Sequence, residues 1–267
     1  MMEAGLETLL RRDRLLVGAA LAVLVVAAWL YLVYLGSAMS GMTDDDMSAM
    51  PGMAMLAMNM WSWVEVAMLA VMWVVMMVAM MTPAAAPMIL IFAAVHRRRE
   101  AARATLAIPT AIFVLGYLVV WSVFGIVAAL AQAGLHTAAL LSPEMVATSP
   151  TLAGMLLIAA GIFQWTPLKR ACLASCRSPL SFVMTSWREG RVGAFTMGIR
   201  HGLYCLGCCW ALMALLFVAG VMNLLWVATL AIAVLVEKVM PRGEIVGRVA
   251  GAVLVLAGLW LAVPRPG

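Results

Sequence analysis

The chain has 267 residues, of which 66% are hydrophobic and 11% charged, and its mean hydropathy is +1.07. A soluble domain of this length could not hide so much apolar surface, because ordinary globular chains are roughly 45–50% apolar. The formal charge of +5 does not point to a nucleic-acid partner, because the basic residues stand beside apolar runs, where topology signals stand.

Runs of about 20 apolar residues cross a bilayer as helices, and the short alternating segments of a barrel are not seen. The composition therefore predicts an all-α, polytopic membrane helical bundle, with the lipid bilayer as its first partner. It is read as a single domain over residues 1–267, with seven spans near residues 15–35, 61–82, 105–130, 151–166, 196–219, 222–239 and 245–263.

In chain order, Arg11, Arg12 and Arg14 precede the first apolar run. That run exceeds the roughly 7–15 residues of a signal-peptide core, so an uncleaved anchor is predicted. Residues 36–60 follow as a loop. It holds Met39, Met42, Met47, Met50, Met53, Met55, Met58 and Met60 around Asp44, Asp45 and Asp46. Thioethers are soft, neutral ligands that select Cu(I), and the aspartates would gather cations nearby. A methionine-rich linker without ligand role is the plainer alternative, since methionine is common apolar filler.

Span two extends this chemistry. At about 100° per residue, Met58, Glu65, Met68, Met72, Met76 and Met80 share one arc of roughly 120°. A carboxylate inside an apolar run is a functional candidate, so the stripe reads as an inlet for a soft cation. A methionine packing seam fits the spacing equally. Pro83 and Pro87 predict a break or kink, or else an ordinary helix end. His96, in the basic run HRRRE, reads as a solvated topology signal. His136 and Glu144 fall between spans three and four, with no partner identified.

The loop over residues 167–195 is basic and predicts a short amphipathic segment anchored by Trp187. It carries Cys172 and Cys176, four residues apart and flanked by Lys169, Arg170 and Arg177. These thiols either fold under span five or are ordinary small buried residues. Span five contains MGIRHGLYCLGCCW. His201, Cys205 and Cys208 lie near 0°, about 40° and about −20° on one helical face, with Met197 near −40° and Cys209 near 80°. Imidazole, thiol and thioether are ligands for Cu(I) or Zn(II). Glu237 and Lys238 at the end of span six read as flanking charges, with an ion pair at the interface as the alternative. Gly243, Gly247 and Gly251 recur every four residues, a spacing suited to close helix packing.

Alternation of seven spans places 16 of the 17 Lys and Arg on one side. By the positive-inside rule the N-terminus is then cytoplasmic and the C-terminus external. The methionine loop falls outside and all five cysteines fall on the cytoplasmic side or in the inner half of span five. Cytoplasm-facing thiols are normally reduced, which favours metal or redox chemistry over structural disulfides.

Residues 72–88 (MWVVMMVAMMTPAAAPM), 202–210 (GLYCLGCCW) and 220–243 resemble the bacterial predicted metal-binding integral membrane proteins, a family of unknown function. The resemblance spans roughly residues 60–245 and implies a helical fold in the bacterial inner membrane with a metal site. The leading expectation is Cu(I) handling by capture at the loop, passage along span two and binding at span five. No phosphate-binding loop GxxxxGK[ST] or DKTGT motif occurs, so pumping by this chain alone is not expected. The alternatives are a membrane thiol–disulfide oxidoreductase and a non-catalytic assembly subunit with a membrane or periplasmic protein partner.

Overall fold

The computed structural model describes residues 2–40, 62–99, 107–138 and 149–262, with side chains in the first stretch from residue 11 to 37. The methionines from Met42 to Met60, the side chain of Met39, and Glu144 lie outside the described residues. Within them the chain is a helical membrane bundle with no strand. Its helices are α1 (Met2–Ser40), α2 (Trp63–Arg99), α3 (Ala107–Thr137), α4 (Pro150–Phe163), α5 (Pro167–Arg177), α6 (Pro179–Ser186), α7 (Gly190–Ala214), α8 (Leu216–Ala219), α9 (Leu224–Val239) and α10 (Gly243–Ala262).

Local sequence accounts for the helix starts. Ser62 and Glu65 form a capping box at α2: the Glu65 carboxylate accepts from the Ser62 amide at 2.7 Å, and the Ser62 hydroxyl accepts from the Glu65 amide at 3.3 Å. Each partner satisfies an amide that the first turn leaves unpaired. Proline stands at the first turn of α4, α5 and α6, where its missing donor removes nothing. Thr166 caps α5 through the Lys169 amide, and the Asn223 side chain caps α9 through the Trp226 amide at 3.1 Å.

Five described helices are long and apolar enough to cross a membrane, and α4 with α5, bent by 62°, makes a sixth if the pair is one span. The shorter α9 has 16 residues, about 24 Å of rise against a hydrocarbon core of about 30 Å. The break or helix end expected at the prolines is not found. α2 does not end at its prolines but runs on through Pro83 and Pro87 to Arg99. Neighbouring helices and side chains can satisfy the backbone groups that proline frees, so membrane helices tolerate it.

α1 packs on α2, α2 on α3, and α3 on α7, while α10 pairs with α4. The glycine face expected of α10 is used. A side chain at Gly161 would place its Cβ 2.7 Å from the Gly251 carbonyl, and one at Gly258 would lie 2.6 Å from the Gly154 carbonyl. The two backbones are therefore in direct contact.

The basic segments gather at one end of the bundle. Arg97 pairs with Asp13 at 2.6 and 3.0 Å. The Arg99 guanidinium lies 4.8 Å over the Trp187 ring. Arg177 donates to the carbonyls of Met240 and Pro241 at 2.8 and 2.5 Å. His96 is not solvated as expected: it is buried, its ring stacked on Phe92 and tilted against Trp187, at 6.0 and 6.1 Å between ring centres.

Because α4 and α10 touch through backbone, Gly161→Val should cost about 1–3 kcal/mol through overpacking. Thermal unfolding of detergent-purified protein should show a lowered midpoint; an unchanged midpoint would contradict the α4–α10 contact.

Candidate metal centre

The basic loop of residues 167–195 folds as α5 and α6. Lys169, Cys172, Leu173 and Cys176 are spaced i, i+3, i+4 and i+7, which sets them on one face of α5. That helix packs on α7. Cys172 fits the notch left by Gly207, where a Cβ would stand 2.7 Å from its sulfur. Cys176 lies on the same α5 face and interacts electrostatically with Cys208. The loop thiols thus join those of span five, and all five cysteines are free.

Within α7, Cys205, Cys208 and Cys209 are each about 1% exposed. The Cys208 and Cys209 thiols donate to the Cys205 carbonyl at 3.0 and 2.9 Å, the local back-bonding that a helix offers a short polar side chain. From α2, the Met81 sulfur lies 4.0 Å from the Cys209 thiol. From α3, the Tyr117 hydroxyl donates to the Met81 carbonyl at 2.9 Å and stands 3.1 Å from the Cys205 sulfur. Close approach of α3 and α7 permits this: a Cβ at Gly202 would lie 2.9 Å from Val120.

The fourth contribution comes from α9 and corrects the reading of Glu237 and Lys238 as flanking charges. Both are buried, at 4% and 9% exposure. The Lys238 ammonium donates to the Cys205 sulfur at 2.7 Å. Glu237 turns to the other side and takes the Lys169 ammonium at 2.7 and 2.8 Å on its two oxygens. Lys169 also donates to Gln164, the residue at the α4–α5 bend. A cleft lined by Gln164, Lys169, Arg170, Glu237, Glu244 and Arg248 reaches this pair. An ion pair so deep in apolar surroundings persists only because each charge is matched and hydrogen-bonded.

Other expected ligands are distributed differently. His201 is buried one turn from Cys205, with its ring against Tyr117, Phe182 and Phe113 at 5.5, 5.7 and 6.3 Å, and its Nδ1 has no hydrogen-bond partner among the described residues. Met197 does not share the cysteines' surroundings. It sits eight residues from Cys205, about 12 Å along the helix, and its sulfur accepts from the Arg188 amide at 3.4 Å. The span-two stripe is interrupted. Glu65 is engaged in the α2 cap and Met68 turns outward at 66% exposure, whereas Met72, Met76 and Met80 are buried. Met77 and Met81, off that arc, are buried as well.

The donor set is sulfur-rich and suits a soft cation. Among the described residues no three His, Cys, Asp or Glu side chains form a ready-made cage, and the closed tetrahedral geometry of structural zinc sites is not prepared here. Sequence reasoning missed Tyr117, Met81 and Lys238. The signal available for Lys238 was its position at the end of an apolar run, where an ionisable group needs a partner.

The sequence matches the family model PpoB2, described as copper chaperone, over residues 70–261. That stretch contains α3 to α9, most of α2 and all but the last residue of α10. No curated protein and no solved structure matches.

Removing one member of the Lys169–Glu237 pair leaves a buried charge unmatched. Lys169→Met should destabilise the purified protein by about 3–5 kcal/mol, and Lys169→Met combined with Glu237→Gln should recover much of that loss. Chemical denaturation of the two variants checks this; equal stability of both would rule out the pairing.

Proposed function

The chain belongs to the PpoB2 copper chaperone family, and on that premise we propose that it carries its copper as Cu(I) on the thiol cluster of α7, inside the membrane bundle. The observation that carries this reading is the 4.0 Å approach of Met81 to Cys209. It joins a helix lined with buried thioethers to a cluster of buried thiols. Cu(I) is favoured by both donor types, and the step from neutral thioether to thiol offers increasing affinity along the way.

In this account Cys205, Cys208 and Cys209 hold the ion, with Cys176 brought in by α5. Met72, Met76 and Met80, with Met77 and Met81, form the approach along α2. His201 is held one turn away with a free ring nitrogen and serves as a neighbouring donor. Cys172 is a peripheral thiol at Gly207. The methionines of residues 39–60 form an accessory capture loop. The gathering of basic segments at one end supports placing that end in the cytoplasm of a bacterial inner membrane, with the loop outside.

Reduced, detergent-purified protein should bind Cu(I) in competition with a chromophoric Cu(I) chelator. Cys205→Ser with Cys208→Ser should abolish the tightly bound fraction. Deleting residues 39–60 should slow uptake and leave that fraction in place. A double serine variant with the wild-type copper content would overturn the assignment.

A further inference from the structure

The bend between α4 and α5 bears a charged cleft that the copper reading leaves unused. Gln164, Lys169, Arg170, Glu237, Glu244 and Arg248 line it. On its inner side the Lys169 ammonium holds both Glu237 oxygens at 2.7 and 2.8 Å, and these two charges cancel. The outer side is different. Arg170 of α5 and Arg248 of α10 are exposed, and neither guanidinium has an ion-pair or hydrogen-bond partner among the described residues. Gln164 is 3% exposed. Its side-chain oxygen accepts from Lys169, but its amide nitrogen has no partner among the described residues. By contrast Arg97, Arg99 and Arg177, at the same end of the bundle, are each engaged by protein groups.

A buried donor without a partner is costly, and two unpaired guanidiniums in one cleft repel each other. An oxyanion answers both. Planar guanidiniums present forked N–H groups that match phosphate oxygens, and the Gln164 amide adds a further donor. Glu244 limits which anion fits. The unpaired charges of the cleft are two guanidiniums and this carboxylate, one positive charge in sum, which a phosphodiester monoanion balances. The surroundings give the source of that phosphodiester. Trp165 stands exposed at the bend, and its indole donates to the Arg248 carbonyl at 3.2 Å; tryptophan so placed sits at headgroup level. Leu168, Ile245 and Val249, next in sequence to the cleft residues, are exposed apolar side chains suited to acyl chains. Basic pockets between membrane helices are recurrent sites for anionic headgroups.

We propose that this cleft binds an anionic glycerophospholipid, with the phosphodiester between Arg170 and Arg248, the Gln164 amide behind it and a headgroup hydroxyl toward Glu244. The bound lipid bridges α5 to α10 and braces the bend that lays α5 against α7. No residue assigned to the copper site takes part, so the proposal stands whether or not that assignment does.

The test follows thermal unfolding of the detergent-purified full-length protein while phosphatidylglycerol, phosphatidylcholine or inorganic phosphate is added, each alone. Phosphatidylglycerol should raise the midpoint to a plateau. Arg170→Gln with Arg248→Gln should weaken its apparent affinity by at least about tenfold, the loss of two basic contacts. Arg191→Gln with Arg200→Gln removes the same charge from exposed positions on α7 and should leave the response intact. Should the Arg170 and Arg248 double variant not fold, Arg248→Gln alone takes its place, with a loss of about fivefold. An unchanged response in the cleft variant, an equal loss in the α7 variant, or an equal response to phosphatidylcholine would overturn the site. Inorganic phosphate acting in the same concentration range as the lipid would overturn the lipid as occupant and assign the cleft to a free anion.

Discussion

The contact between the Lys238 ammonium and the Cys205 sulfur, 2.7 Å long, is the interaction around which the rest of the bundle is arranged. A lysine in an apolar interior must find a partner, because leaving its charge unmatched costs several kcal/mol. Lys238 is carried by the last turn of α9, a helix of only 16 residues. Its short length brings a charged helix end to the level of the cysteines on α7.

Once Lys238 is directed at sulfur, its neighbour Glu237 needs another cation. Lys169 supplies it from α5, and the Lys169 ammonium also reaches Gln164 at the bend after α4. That bend lays α5 against α7 and brings Cys176 to Cys208. α10 yields space for the same group, since Gly247 faces the Glu237 carboxylate and the Gln164 side chain. Elements far apart in sequence are thereby tied to one polar centre in a surround of apolar side chains. On its other side the centre meets Tyr117 of α3 and Met81 of α2, both buried.

The helical membrane class was legible from apolar run length and basic flanks, because the bilayer imposes those lengths directly; five or six of the described elements meet that length, against the seven spans expected. The thiol face of α7 was legible because helical phase puts Cys205 and Cys208 on one side. Four features were not. Pro83 and Pro87 suggested a helix end, but proline's local cost is offset by surrounding helices, which a one-dimensional reading does not contain. The Ser62–Glu65 capping box was hidden by the attraction of a carboxylate on a methionine arc. Lys238 and Met81 depend on how α9 and α2 rotate against α7, and that rotation is set by tertiary packing rather than by either segment alone. His96 was misread for the same reason: Arg98 and Arg99 beside it are exposed, but its own ring faces Phe92 and Trp187.

The central claim is that sulfur atoms inside the bundle hold Cu(I), and X-ray absorption at the copper edge tests it most directly. Reduced protein lacking residues 39–60, loaded with one equivalent of Cu(I), should give a monovalent copper edge and a first shell of sulfur, with a low coordination number. A first shell made of nitrogen and oxygen, or a divalent edge under the same reducing conditions, would contradict the account.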